Sequence, residues 1–206
     1  MKKEIRAFDF EVRAEQSEEN GKYLTGQPIV YNERTNLGWY DEIIADGALD
    51  GADLRDVRFL VNHNTDMIPL ARSRNNNANS TMQMEVVPGV GMSIRVNLDT
   101  ENNAEAKSLY SAVERGDISG MSFMFAVDKD RWEDLESEHP TRTIESFTKI
   151  FEVSAVTFPA YEATSITARG LSDALESARA SLESAKREAE AVARQKQKIR
   201  ILTEVL

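Results

Sequence analysis

The stretch FEVSAVTFPAYEATS, residues 151–165, wraps an apolar strand around a single charge. Phe151, Val153, Ala155, Val156 and Phe158 read as a buried strand that Pro159 closes. Glu152 sits inside that run. An unpaired carboxylate there costs on the order of several kcal/mol. The strand therefore predicts a partner for Glu152, carried in by another part of a β-rich fold.

Upstream, the same period-2 signal recurs. Phe8, Phe10 and Val12 alternate, as do Met92, Ile94, Val96 and Leu98, and again Met121, Phe123, Phe125 and Val127. Further strands are expected at 22–31, 57–62, 82–87, 142–148 and 150–158. Asn20-Gly21 and Pro88-Gly89 mark turns, and the polar run SRNNNANST (73–81) reads as a mobile surface loop. One helix interrupts the strands: Asp99 or Thr100 caps it, Leu109, Ala112 and Val113 form its stripe, and Gly116 stops it. A short helix or turn is expected near 47–56. The pattern predicts an α+β, mainly β protein: a closed or nearly closed β-barrel decorated by a few helices.

Beyond Gly170 the composition changes to Ala, Glu, Lys, Arg and Leu without Gly or Pro. This divides the chain into a β-barrel domain, 1–168, and a C-terminal helical tail, 169–206. Heptads place Leu175, Leu182, Ala189 and Lys196 at a, and Ala178, Ala185, Val192 and Ile199 at d. So thin a seam suits either self-association or docking of the tail on its own domain. From Leu171 to Leu206 six acids face seven bases, a net of +1, against −10 for the whole chain; residues 1–170 thus carry −11.

That acidity argues against broad binding to nucleic acid, whose phosphates need a basic surface. The 206 residues include no cysteine, which excludes disulfides and thiolate metal sites. MKKEIRAFDF lacks the apolar core of a signal peptide, and no run reaches membrane-spanning length. Neither histidine has a second His or a Cys at metal-ligand spacing, so no metal or other cofactor is expected.

The two histidines narrow the search for chemistry. His139 lies in the acidic, Pro-containing segment EDLESEHPTR, which reads as an exposed loop. His63 ends the apolar run RFLVNHN between two asparagines. Ser122, in SGMSFMFAV, is a hydroxyl in an otherwise apolar strand. Each of these groups is more often structural than catalytic when taken alone. Together they share a property with Glu152: all are polar groups in or beside an apolar run. A serine needs an adjacent base, and that base needs an orienting group. A barrel that gathers Ser122, His63 and Glu152 would meet both needs and would satisfy Glu152.

Taken in order, these segments resemble the prohead maturation proteases of tailed phages, serine proteases with a fold like the herpesvirus assembly protease. The likeness runs from about residue 4 to 166. It begins with EIRAFDFEVRAE and LTGQPIVYN, continues through EIIADGAL, VRFLVNHN with PLARS, and LDT, and ends with ERGDISGMSFMF and FEVSAVTFPAYEAT. The resemblance implies that Ser122 is the nucleophile, His63 the catalytic histidine and Glu152 the third member. It also implies an endopeptidase that cleaves scaffold segments or the major capsid protein, and itself, inside the assembling procapsid in a bacterial host's cytoplasm. Three segments depart from the family pattern. Asp46 precedes Gly47-Ala48-Leu49 where a Pro is usual, Met124 follows Ser-Phe where Gly is frequent, and Leu70-Ala71-Arg72 replaces Leu-Gly-Arg. They bear on the loops around the site and on specificity. Two other readings stand beside the protease: a catalytically silent assembly factor that keeps the barrel as a platform, and a peptide-binding or structural β-module in which His63 and Ser122 never meet.

Overall fold

The computed structural model describes residues 3–8, 12–18, 21–157 and 168–204. Phe10 and Pro159, on which two of the strand expectations lean, lie outside these residues.

Strand β11 (Thr141–Val156) is the spine of the molecule. The sequence reads as two strands here, but the structure has one. Its pairing with the antiparallel partner β10 (Gly120–Glu133) is irregular, with Phe151, Thr148 and Glu145 of β11 and Asp128 of β10 left out of the register, yet β11 continues as one strand. On its other edge β11 pairs in parallel twice. Thr141–Ile144 meet β5 (Asp41–Ile44), and Glu152–Ala155 meet β6 (Val57–Val61). Strand β1 (Glu4–Phe8) borders β10, β4 (Arg34–Asn36) borders β5, and β7 (Ala71–Ser73) borders β6, which completes a seven-stranded sheet.

A second sheet has the order β2 (Val12–Ser17), β3 (Gly21–Val30), β9 (Gly91–Asn97), β8 (Met82–Val87). Close approach at its bulge requires Gly91, because a Cβ there would lie 2.0 Å from the Ile29 carbonyl oxygen. The two sheets share one core, in which Leu24, Met92 and Ile94 of the smaller meet Phe123, Phe125 and Val153 of the larger. Burial of each such phenylalanine contributes roughly 1.5–3 kcal/mol. Single backbone bonds stitch the sheet margins, from Val12 N–H to Ser119, Asn32 N–H to Ile44 and Thr81 N–H to Arg72. Among the described residues no ladder closes the sheets into a ring. The α+β, mainly β class expected from the sequence is what the structure has, whereas barrel closure does not follow from these pairings.

Helix α1 (Ala104–Glu114) buries Ala106, Leu109, Tyr110 and Val113. Its cap is Asn103, whose side chain accepts from the N–H groups of Glu105 and Ala106. Asp99, expected as the cap, instead accepts from Asn102 N–H one turn earlier. Gly116, with φ +78°, ends the helix as expected. Residues 47–51 form turns rather than a helix. The 73–81 segment is a hydrogen-bonded turn and not a free loop: Asn76 donates to Met84 C=O and accepts from Met84 N–H.

Helix α2 (Ala168–Glu204) divides along its length. Ala178 and Leu182 are buried against Tyr40 and Trp132, so this part of the seam docks on its own domain. Val192 and Ile199, further along the seam, are about half exposed at 49% and 57%. Leu175 of the same seam is a position whose side chain lies outside the described residues.

Candidate active site

Strand β6 delivers His63 through an unusual backbone. Asn62 and His63 both have positive φ, +51° and +56°. Such left-handed residues cost on the order of 1–3 kcal/mol each unless the surroundings hold them. Here they are held. Asn62 N–H donates to Ala155 C=O, its side-chain amide donates to Thr157 Oγ1, and its Oδ1 accepts from Thr157 N–H. His63 N–H donates to Ser154 Oγ at 3.1 Å.

The turn folds the imidazole back over β11, where Nδ1 lies 2.6 Å from Glu152 Oε1. Both side chains are buried, at 6% and 3% exposure. The other carboxylate oxygen, Oε2, accepts from Ser154 Oγ at 2.6 Å. The buried charge of the strand thus has two partners, His63 and Ser154. An ionised carboxylate only accepts, so Nδ1 carries the proton of this bond and the neutral ring is left with a bare Nε2. That Nε2 is buried and has no hydrogen-bond partner among the described residues.

Ser122 stands one strand away. Its Cα partner on β11 is Ser154, so both side chains project from one sheet face, with Glu152 two residues along. The Ser122 side chain is fully buried, and its hydroxyl donates to the Arg6 main-chain carbonyl on β1 at 2.7 Å. The structure therefore joins His63 to Glu152 directly. It sets Ser122 on the same face with its hydroxyl turned to Arg6 and not to His63.

Two residues of the cluster escape a sequence reading centred on titratable groups. Ser154 ties Glu152 to the His63 backbone, and Asn62 holds the strained turn. Ser154 had a signal, since it follows Glu152 by two in a strand and so shares its face. His139, expected in an exposed loop, is partly exposed and lies 2.8 Å from Asp41 through Nε2, away from this cluster. No three His, Cys, Asp or Glu side chains cluster as metal ligands among the described residues.

Beside His63 runs a groove of about 550 Å³. Val61, Asn62, Asn64 and Met67 of the histidine turn form one wall, and Ser108, Leu109 and Ala112 of α1 form the other. Ile118, four residues before Ser122, also lines it.

A second buried polar cluster joins β1, β5, β10, β11 and α2. Arg6 donates to Glu42 at 2.5 and 2.7 Å and to Glu4 at 2.8 Å, while Arg142 donates to Glu4 at 2.7 Å, Glu42 at 3.1 Å and Asp130 at 2.7 Å. From α2, Ser177 Oγ donates to Glu4 and Ser181 Oγ to Asp130, and Ser181 accepts from Trp132 Nε1. Burial pushes the Glu4 carboxyl up, but the hydrogen bond and charge of Arg142, with Arg6 behind them, outweigh it and hold Glu4 down at about 2.

Residues 8–177 match the family described as caudovirus prohead serine proteases, and the chain belongs to that family. It is accordingly a hydrolase of the serine-protease class, associated with phage capsid maturation. No curated protein and no solved structure matches the chain.

Proposed function

We propose that this chain is a serine endopeptidase in which Ser122 is the nucleophile, His63 the general base and Glu152 the orienting acid. One observation carries the reading: Glu152 holds Nδ1 of His63 and leaves a buried Nε2, without a partner among the described residues, beside the sheet face that bears Ser122. A buried unpaired nitrogen is costly, and its use as a proton acceptor accounts for its retention here.

In the resting site the Ser122 hydroxyl donates to Arg6 C=O. Catalysis requires this hydroxyl to turn from Arg6 C=O toward His63 Nε2. Oγ then bonds to the scissile carbonyl carbon while Nε2 takes the proton, and Glu152 stabilises the imidazolium. The proton passes to the departing amine as the C–N bond breaks. Water, deprotonated by the same Nε2, releases the acyl group and restores Ser122. The groove beside His63 receives the substrate chain, its apolar wall of Val61, Met67 and Leu109 taking side chains near the scissile bond. The substrate is a scaffold segment or the major capsid protein of the same procapsid, cleaved in the host cytoplasm, and the protease also processes itself. No described helix is long and apolar enough to cross a membrane. The apolar residues Val192 and Ile199, exposed on the distal half of α2, are the surface for self-association or for incorporation into the shell.

Co-expression with the major capsid protein, with fragments identified by mass spectrometry, tests the reading. Ser122→Ala is expected to abolish the fragments that the wild type produces. Undiminished cleavage by Ser122→Ala would end the proposal.

A further inference from the structure

We infer that Ser154 is a positioning residue of the active site: its hydroxyl fixes the base and its orienting acid relative to each other. The inference rests on His63 and Glu152 being that pair. Ser154 Oγ accepts the His63 backbone N–H at 3.1 Å and donates to Glu152 Oε2 at 2.6 Å. Both of its roles are therefore occupied, and its proton is committed to the carboxylate. The side chain is fully buried and meets the site from the strand that carries Glu152.

The physical need for it lies in the two bonds it makes. Glu152 accepts from His63 through Oε1 alone, and a carboxylate held at one oxygen is free to pivot about its last torsion. The bond at Oε2 stops that pivot. His63 sits in the left-handed region at φ +56°, where its N–H would otherwise be a buried donor without a partner. One hydroxyl thus sets both the plane of the carboxylate and the backbone angle from which the imidazole projects. Ser154 is poorly suited to be the nucleophile itself, because its hydroxyl proton is engaged in a hydrogen bond to Glu152 and His63 Nε2 is not its partner.

The chain has only two histidines, so ¹⁵N-imidazole NMR resolves both rings, with His139→Asn identifying the second signal. At a pH where the ring is neutral, wild-type His63 is expected to be locked as the Nδ1–H tautomer. Ser154→Ala is expected to move that signal toward the mixture of a free imidazole. Its kcat for capsid-protein cleavage should fall roughly 10- to 100-fold with KM unchanged, the loss expected when a charged group loses one hydrogen bond. Ser154→Thr, which keeps the hydroxyl, should recover both readouts. A Ser154→Ala protein with the wild-type tautomer and kcat would overturn the inference, and so would one that merely melts earlier with the tautomer unchanged. The tautomer measurement needs no cleavage, so a failure of the protease reading in Ser122→Ala leaves this test intact.

Discussion

Two buried polar clusters lie on the same large sheet, and they differ in one respect. In the cluster of Glu4, Arg6, Glu42 and Arg142, each carboxylate accepts from guanidinium groups, and no side-chain atom of the four lacks a partner. In the cluster of His63, Glu152 and Ser154, one atom is left over, the Nε2 of His63. The first network is closed and acts as a staple, tying β1, β5 and β11 to the α2 helix. The second is closed everywhere except at the atom to which the proposed mechanism assigns proton exchange. Burial of polar groups by itself marks neither structure nor function; what sets the second cluster apart is that its open valence belongs to an imidazole nitrogen able to take a proton.

The largest expected effect comes from closing or breaking the open cluster. Glu152→Gln keeps the shape but allows the amide to favour the wrong imidazole tautomer. It should fold normally and lose roughly 10³–10⁴-fold in kcat, measured by capsid-protein cleavage at matched folded concentration. Unchanged activity per folded molecule, with a lower melting temperature, would make Glu152 another staple and erase the contrast.

The closed cluster should respond in the opposite currency. Arg142→Met leaves Glu4, Glu42 and Asp130 without a cation that they share. It is expected to cost about 3–5 kcal/mol in chemical denaturation, with little change in the chemistry of whatever remains folded. A loss of rate larger than the loss of folded protein would show that the two clusters are coupled, a coupling for which Arg6 is the structural route, since its carbonyl holds Ser122.

A smaller effect follows from acid. The Glu4 carboxyl is held at about 2 in the folded chain, against 4.5 ordinarily. A depressed carboxyl stabilises the fold fully above its unfolded value and loses that contribution as pH falls toward the folded one. Stability should therefore drop between about pH 4.5 and pH 2, by roughly 3 kcal/mol for this group. Glu4→Gln should flatten that part of the pH–melting curve; an unaltered slope would assign acid sensitivity to other carboxylates.

How much of this was legible before folding varies by residue. The alternation in Met92–Leu98 and Met121–Val127 marks β9 and β10 because a sheet with one buried face forces period 2. Glu152 announced a partner through the cost of its burial, and His63 was the natural candidate with only two histidines in the chain. The helix cap, expected at Asp99 or Thr100, was misjudged by three or four residues because the local sequence offers several polar residues able to cap, of which Asn103 accepts from the first helical N–H groups. The break expected near Lys149 is absent because β11 takes up the irregularity as bulges at Thr148 and Phe151 and continues as one strand. The salt-bridged staple was invisible, since Glu4, Arg6, Glu42 and Arg142 are separated by up to 138 residues.

What the sequence determined by itself is the class of fold, the end of α1 at Gly116 and the small set of polar groups embedded in apolar runs, because periodicity and desolvation are local quantities. Tertiary structure alone decided which of those groups meet. Parallel pairing of β6 with β11 brings His63 to Glu152, and the left-handed turn at Asn62 and His63 aims the ring. Neither the register of strands distant in sequence nor a strained backbone pair has a local signature, for both are maintained by bonds that exist only after the chain has closed on itself.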